Sequence, residues 1–292
     1  MNTNVLSCFL TSRQPLLLST ALIVACATTG SAARAAPFNV TFEAPGVQSA
    51  NQASLCAALG PGTCMIGVET FNARSTVAGQ TFSTDYGTGG AITGTYSNVE
   101  VAPGSIYGGA VDSSNPARNS NYAVAYASSG YQVSLATTLP TGINYFGFWL
   151  SALDQGNTVT FYDGATQVYQ FTPTDLIGMV GACSNASNAY CGNPTQAFQG
   201  QVSYQSFVFV NFFDQVGSFD RIVFAENPAT GGYESDNHTV GYVTGNSGIA
   251  VTPVPEPASL TLLAVGFAGL ALLRRHGRGT TAYGSTRRSN TI

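Results

Sequence analysis

Four oxygen-bearing side chains have the types that bind a hard cation, and they lie near the two ends of the central part of the chain. Glu43 directly follows the first apolar segment, and Glu234, Asp236 and Asn237 stand together before the last one. Calcium takes six to eight oxygen ligands, most often from carboxylates and carbonyls. If the first and last strands are neighbours, these four side chains form a structural calcium site. No other cofactor is predicted. The alternative is that the two acids flank a strand entrance and Asn237 closes a turn.

The sequence contains few combinations of residues that could form a catalytic site. His238 lies two residues after Asp236, so strand alternation would put both on one face, and a serine would complete a triad. Side chains this close along one strand are badly placed for such a relay, and the nucleophile-elbow, HExxH, phosphate-loop and dinucleotide patterns are absent. The sequence therefore predicts that the protein is not an enzyme. An extracellular glycan hydrolase stays open as an alternative, since two acidic residues that meet in the fold would suffice.

Four cysteines follow the N-terminal segment: Cys56, Cys64, Cys183 and Cys191. Each consecutive pair has seven residues between its members and lies in a segment rich in Ala, Gly, Asn and Pro. In an exported domain this pattern predicts two local disulfides, each stabilising by about 2.5 kcal/mol through loop-closure entropy. Three pairings are formally open, and the local one needs no long-range contact. A zinc site fits less well, because the spacing is wide and no histidine lies near either pair.

Acidic residues dominate the region between the two ends of the chain. Residues 37–252 hold thirteen acids against three arginines, a charge of about minus ten, and the whole chain has no lysine. This charge disfavours a nucleic-acid partner, since phosphate binding needs a basic face. It suits divalent cations, or simply solubility outside the cell.

Short runs rich in Val, Ile, Tyr, Phe and Thr alternate with Gly and Asn clusters, and helical periodicity is nearly absent. This pattern predicts an all-β fold, a jelly-roll-like β-sandwich. Asp163 and Gly164 form the clearest hairpin turn, because both residues accept positive φ. Residues 174–178 predict one helical turn, and residues 111–121 and 181–200 predict loops. The predicted strands are 38–43, 65–71, 92–101, 122–127, 131–136, 143–151, 158–162, 167–171, 206–213, 219–225 and 239–243.

Trp149 is the one tryptophan, and it lies in a strand with two phenylalanines. Phe146, Phe148 and Leu150 alternate with it, so one face of that strand belongs to the core. A core position for Trp149 is favoured over a sugar-binding platform, because large aromatic side chains dominate core burial. Better surface candidates stand in Gly- or Asn-rich context: Tyr86, Tyr96, Tyr107 and Tyr190.

The N-terminal segment has the features of a secretory signal peptide. Arg13 precedes an apolar run over residues 16–25, and Ala33, Arg34 and Ala35 fit the small-x-small cleavage rule. Residues 1–35 are therefore predicted to leave on export, and residues 36–252 to form a single ectodomain. A retained membrane anchor is the alternative.

The C-terminal segment combines three features in a fixed order. Residues 253–257 are proline-rich, residues 258–273 are apolar and uncharged, and arginines follow at once. The apolar run nearly spans a hydrocarbon core as a helix, and the arginines keep its end cytoplasmic, which puts the ectodomain outside. Proline leaves the strip before the helix extended and open to a protease. The residues that carry the pattern are Val254, Pro255, Glu256, Pro257, Arg274 and Arg275.

This combination resembles the PEP-CTERM sorting signal of bacterial exosortase substrates over residues 253–278. The resemblance implies an exosortase as partner, cleavage near Pro255 to Pro257, and transient anchoring in the inner membrane by the helix at about 258–273. Delivery to the cell envelope, the surface or the medium would follow. An ordinary C-terminal anchor is the alternative. Residues 279–292 are predicted to form a cytoplasmic tail, longer than such signals usually carry.

A second resemblance covers residues 145–243. Segments 145–149, 154–158, 161–164, 210–213, 219–224 and 234–237 are similar to a family of exosortase-dependent bacterial surface proteins, which implies a secreted β-sandwich of unassigned activity. The prediction is thus a structural or adhesive protein of the extracellular matrix, with extracellular polysaccharide as a partner. The main alternative is a calcium-dependent carbohydrate-binding module. The chain resembles jelly-roll modules of that kind in general plan, and many of them hold calcium between the first and last strands.

Overall fold

The computed structural model of the chain describes residues 38–56, 64–112, 115–126, 130–154, 156–184, 187–226, 231–245 and 248–250. All of these residues fall in one compact unit. The predicted signal peptide, sorting signal, apolar C-terminal run and tail lie outside the described residues. Within the part of the chain that is described, no helix is both long and apolar enough to cross a bilayer.

The described residues form mostly β-strands, and each of the predicted strand segments overlaps one of them. The all-β prediction is therefore confirmed. The described residues also form two short α-helices, α1 (Gln52–Cys56) and α2 (Pro173–Val180), and a 3₁₀ turn at Gln196–Phe198; α2 contains the predicted helical turn. The strands are β1 (Phe38–Phe42), β2 (Met65–Glu69), β3 (Gln80–Thr84), β4 (Ile92–Ala102), β5 (Val111–Asp112), β6 (Asn115–Asn119), β7 (Tyr122–Tyr126), β8 (Tyr131–Thr137), β9 (Tyr145–Ser151), β10 (Asn157–Asp163), β11 (Thr166–Phe171), β12 (Val208–Asp214), β13 (Arg221–Glu226), β14 (Gly232–Tyr242) and β15 (Ile249–Ala250).

Thirteen of these strands make one antiparallel sheet that curves until it is nearly closed. Its order is β11-β10-β13-β8-β4-β7-β14-β9-β12-β1-β15, with β2 added beside β14 and β3 beside β4. The long strand β4 joins the two halves of the sheet: residues 92–97 pair with β8, and residues 100–102 pair with β7. One continuous sheet that bends along β4 therefore encloses the core.

Strands β3 and β15 and helix α1 were not predicted, and two further segments differ from the prediction. Residues 111–119, predicted as loop because polar residues dominate them, contain β5 and β6, which pair with each other. Strand β14 begins at Gly232 rather than at residue 239. Its first half carries Glu234, Ser235 and Asp236, which are buried although they are polar. The apolar pattern that marks a strand in the sequence is missing there.

Aromatic rings from both halves of the sheet meet in the main core. Phe146 of β9 lies 6.1 Å from Phe161 of β10, and Phe148 lies 5.2 Å from Phe224 of β13, measured between ring centroids. Trp149 faces the other way and is also fully buried, in a smaller cluster that includes Phe207 and Phe209 and lies under connecting segments. The predicted burial of Trp149 is confirmed, although it lies outside the main core.

Both local cysteine pairs are at disulfide distance. The Cα atoms of Cys56 and Cys64 are 5.4 Å apart, and those of Cys183 and Cys191 are 5.5 Å apart. The predicted local pairing is confirmed. Each bridge closes one connecting segment, the first directly after α1 and the second in the long connection between α2 and β12.

Candidate functional site

The four predicted calcium ligands do not meet. Glu43 lies beside Phe209 of β12. Phe209 lies opposite Trp149 of β9, which in turn lies opposite Asp236 of β14. Neighbouring strands are about 4.8 Å apart, so roughly 14 Å separate Glu43 from Asp236. Within the described residues, no three His, Cys, Asp or Glu side chains are placed to hold a metal ion. Glu43 lies apart from the other three residues because β12 and β9 lie between the first strand and β14.

The acids of the expected site have local partners instead. Nδ2 of Asn211 donates to Oε1 of Glu43 at 2.9 Å. Asp236 accepts hydrogen bonds from the backbone N–H of Ala110, at 2.7 Å, and from the hydroxyl of Ser120. Burial raises the pKa of Asp236 to about 7, and these hydrogen bonds oppose the rise. Asp236 therefore fastens the connection between β4 and β7 to β14.

A β-bulge separates Asp236 from His238. Asn237 has a φ of 50°, and the register between β14 and β9 shifts between Asp236 and Thr239. The extra residue turns His238 into the main core, where its ring stacks on Phe224 at 5.2 Å, while Asp236 stays on the outer face. The shared face that alternation predicts for the two side chains is therefore not formed.

His238 belongs to a buried chain of hydrogen bonds, the tyrosine–histidine network, made of Tyr86, Tyr96, Tyr131, Ser235 and His238. Nδ1 of His238 lies 2.9 Å from the hydroxyl of Tyr96, and Nε2 lies 3.0 Å from Oγ of Ser235. Ser235 also contacts the hydroxyl of Tyr131 at 2.7 Å, and Tyr86 contacts Tyr96 at 3.4 Å. Burial lowers the pKa of His238 to about 3, so the imidazole is neutral at pH 7.

The network links β14 to β4 and β8 across the core, which suits a structural role. It also overturns two sequence predictions. Tyr86 and Tyr96, expected at the surface from their glycine- and asparagine-rich context, are both buried. Tyr107 is 44 % exposed, as predicted. Tyr190 is half-buried and packs edge-on against Phe42.

Another set of polar side chains gathers at the edge where β9 and β13 end and β10 and β14 begin. Asp154 follows β9, and Asn157 opens β10 opposite Glu226, the last residue of β13. The backbone N–H of Gly231 donates to Oε1 of Glu226 at 2.7 Å. Burial raises the pKa of Glu234, close by on β14, to about 8, and Asp154 and Glu226 add to the rise. Sequence reasoning missed this set, because its members come from separate parts of the chain.

A groove of about 430 Å³ lies beside the bulge. Nδ2 of Asn237 donates to the backbone oxygen of Gln48 at 2.9 Å, and Oε1 of Gln48 accepts from the N–H of Val111 at 2.7 Å. These bonds hold the walls in place. The lining residues are uncharged and combine amides and hydroxyls with two valines: Gln48, Ser49, Val68, Thr70, Asn72, Val111 and Asn237.

A family model described as the PEP-CTERM protein-sorting motif matches residues 253–275. The chain carries a PEP-CTERM sorting signal. The motif implies an exosortase as processing partner, with a transient stay at the membrane before delivery to the envelope or surface. A search of the curated proteins and a search of the solved structures each found no match to the chain. The six predicted sorting residues all fall within the PEP-CTERM match: Val254, Pro255, Glu256, Pro257, Arg274 and Arg275.

The PEP-CTERM match begins shortly after the last described strand. Strand β15 ends at Ala250 and pairs with Thr41 and Phe42 of β1, at one edge of the sheet. Gly248 precedes β15 with a φ of 79°, and a side chain there would collide with the backbone of Phe42. The chain thus completes the β domain within a few residues of the start of the sorting signal.

Proposed function

We propose that the chain is an exported surface protein with a structural or adhesive role in the extracellular matrix. The observation that carries the proposal is the PEP-CTERM match, which follows a β domain with two disulfide-distance cysteine pairs. Such pairs persist as disulfides in oxidising compartments outside the cytoplasm. In this proposal an exosortase cuts near Pro255 to Pro257 and delivers the domain of residues 36–252, while the apolar helix stays behind.

The proposal assigns no catalysis to the domain. His238, the one histidine among the described residues, is buried and neutral, which supports this assignment because acid–base catalysis needs a group that reaches the substrate. The hydrolase alternative needs two carboxylates that face one cleft. Asp154 and Glu226 are the pair that this alternative would use.

Carbohydrate binding is the second candidate function, and the groove beside Asn237 favours it. Amide and hydroxyl groups donate and accept hydrogen bonds, as the hydroxyls of a neutral sugar do, and Val68 and Val111 offer apolar contact. Extracellular polysaccharide is the ligand in this version of the proposal.

A jelly-roll-like β-sandwich is the fold proposed for the domain. Contacts between aromatic rings of the two halves of the sheet support this fold. Phe148 packs against Phe224, and the ring centroids of Phe161 and Phe212 are 5.1 Å apart. The two halves of the sheet thus face each other across one core, as the two sheets of a sandwich do.

Sorting is tested in the producing bacterium with an epitope tag placed in the exposed turn at Asp163 and Gly164. We expect the wild-type chain to appear in the matrix fraction in a shortened form. A variant with Pro255, Glu256 and Pro257 replaced by alanine should stay in the membrane fraction at full length. Pelleting of the delivered domain with the polysaccharide of the same cells tests the matrix role.

The control variant replaces Arg287 and Arg288, which lie beyond the PEP-CTERM match, by alanine. It should be shortened and delivered as the wild type is. Equal delivery of the Pro255-Glu256-Pro257 variant would contradict exosortase sorting. Correct delivery without pelleting would contradict the matrix role alone.

A further inference from the structure

The edge where β9, β10, β13 and β14 meet brings two carboxylates to one small volume. A Cβ placed on Gly231 would lie 3.0 Å from Oδ2 of Asp154 and 3.6 Å from Oε1 of Glu226. The two carboxylates therefore converge on the same side of the Gly231 backbone. Asp154 also accepts a hydrogen bond from Nε2 of Gln205, at 3.0 Å.

Two amide side chains at this edge have buried atoms without partners. Asn157 is fully buried, and among the described residues neither Oδ1 nor Nδ2 has a hydrogen-bond partner. It lies directly opposite Glu226 in an antiparallel pair, so the two side chains project from the same face of the sheet and lie side by side. Oε1 of Gln205, on the amide that holds Asp154, is also buried and without a partner. Buried polar atoms of this kind destabilise a fold unless something binds them.

Two of the three described arginines have partners away from this edge. Arg74 forms an ion pair with Glu69, and Arg221 lies over the ring of Tyr162 at 3.8 Å. Arg118 belongs to β6, in the separate two-stranded sheet. The chain has no lysine. Carboxylates that lie close together repel one another, and a bound cation relieves the repulsion.

We propose that this edge binds one calcium ion through four side chains, the edge site: Asp154, Asn157, Gln205 and Glu226. Two carboxylates and two amide oxygens are calcium ligands by type, and calcium accepts the irregular geometry that they form. Magnesium demands a near-ideal octahedron and keeps several waters. Zinc favours His and Cys ligands, which this set does not contain. The ion would tie the connection between β9 and β10 to the end of β13. The edge site is independent of the sorting signal.

Calorimetric titration of the purified full chain with calcium chloride, after removal of metals by a chelator, tests the edge site. We expect about one ion per chain, with a Kd of about 10⁻⁴ to 10⁻³ M, as in extracellular modules, and a rise in Tm with calcium concentration. Asp154→Asn and Glu226→Gln should each weaken calcium binding by about tenfold or more. Asp163→Asn is the matched control. It removes one exposed carboxylate from a hairpin turn that Asn-Gly also favours, and it should bind calcium as the wild type does.

Asn157→Leu gives a second, independent measurement. This substitution removes the unpartnered amide at nearly constant volume, so we expect the metal-free variant to have a Tm at least equal to that of the wild type and to lose the calcium-induced rise. Circular dichroism establishes that each variant is folded. The proposal is overturned if the wild-type chain binds no calcium, if Asp154→Asn and Glu226→Gln bind it unchanged, or if Asp163→Asn weakens binding equally. A fall in the metal-free Tm of Asn157→Leu would remove Asn157 from the ligand set.

Discussion

Two buried polar regions of the domain differ in how their hydrogen bonds are completed. In the tyrosine–histidine network, each side chain has a partner inside the network, from Tyr86 through His238 to Tyr131. In the edge site, both amide atoms of Asn157 and Oε1 of Gln205 have none. A network that is complete within the protein serves the fold, whereas buried oxygens without donors favour an external ligand.

The local backbone produces this difference. The bulge at Asn237 directs His238 inward, where Tyr96 and Ser235 face it from both sides. At the edge site, β10 begins at Asn157 and β13 ends at Glu226. The hydrogen bonds of the first region are thus completed from within the core, whereas the second region lies where strands begin and end.

The largest effect is expected from removing the centre of the network. His238→Ala would leave a cavity among aromatic rings, and the hydroxyl groups of Tyr96 and Ser235 would lose their hydrogen bonds to the imidazole. We expect the free energy of unfolding to fall by about 3–5 kcal/mol, measured by urea denaturation with the disulfides intact. Tyr204→Ala, at a tyrosine that is 66 % exposed, should cost under about 0.5 kcal/mol. A loss below about 1 kcal/mol for His238→Ala would show that the network is not structural.

Glu234, which lies close to the edge site, and His238 of the network should also respond to pH with opposite signs. The pKa of Glu234 is raised from 4.5 to about 8, so folding favours its protonated form. The stability that Glu234 contributes to the fold is fully present below about pH 4.5 and is lost as pH rises towards 8. The pKa of His238 is lowered from 6.5 to about 3, so its contribution is complete above about pH 6.5 and is lost as pH falls towards 3.

Glu234→Gln isolates the response on the alkaline side. In the presence of a chelator, the wild-type chain should lose stability of the order of a few kcal/mol between about pH 5 and pH 8, and the variant should lose much less. Glu100→Gln is the control. Val124 of β7 pairs with Glu234 of β14 on one side and with Glu100 of β4 on the other. Unfolding curves at several pH values measure the effect. Parallel pH profiles for the wild type and Glu234→Gln would refute the assigned role of Glu234.

Much of the fold follows from the sequence, because alternation of apolar residues is a local property. Strand β8 alternates buried apolar residues with more exposed ones, and the turn at Asp163 and Gly164 consists of residues that accept positive φ, so both were predictable. The local disulfides follow from cysteine spacing. The short strands β3 and β15 and the polar first half of β14 carry no such pattern, and their partners alone define them.

The sites were far less predictable than the strands. The expected calcium ligands assume that β1 and β14 are neighbours, and the pairing of Asp236 with His238 assumes that alternation holds through residues 236–238. The strand order breaks the first assumption, and the bulge at Asn237 breaks the second. The edge site combines Asp154 and Asn157 with Gln205 and Glu226, which lie about fifty and seventy residues further along the chain. Only the topology brings them together.

The smallest effect contrasts two tyrosines that are equally buried. The hydroxyl of Tyr131 lies 2.7 Å from Oγ of Ser235, whereas the hydroxyl of Tyr233 has no hydrogen-bond partner. Tyr131→Phe should therefore cost about 1 kcal/mol, since it removes a hydrogen bond and leaves the other volume unchanged. Tyr233→Phe should be neutral or stabilising, because it removes a buried hydroxyl that nothing satisfies. Each variant is the control for the other in urea denaturation. Equal losses for the two would mean that ring packing, rather than completed hydrogen bonding, sets the stability of this core.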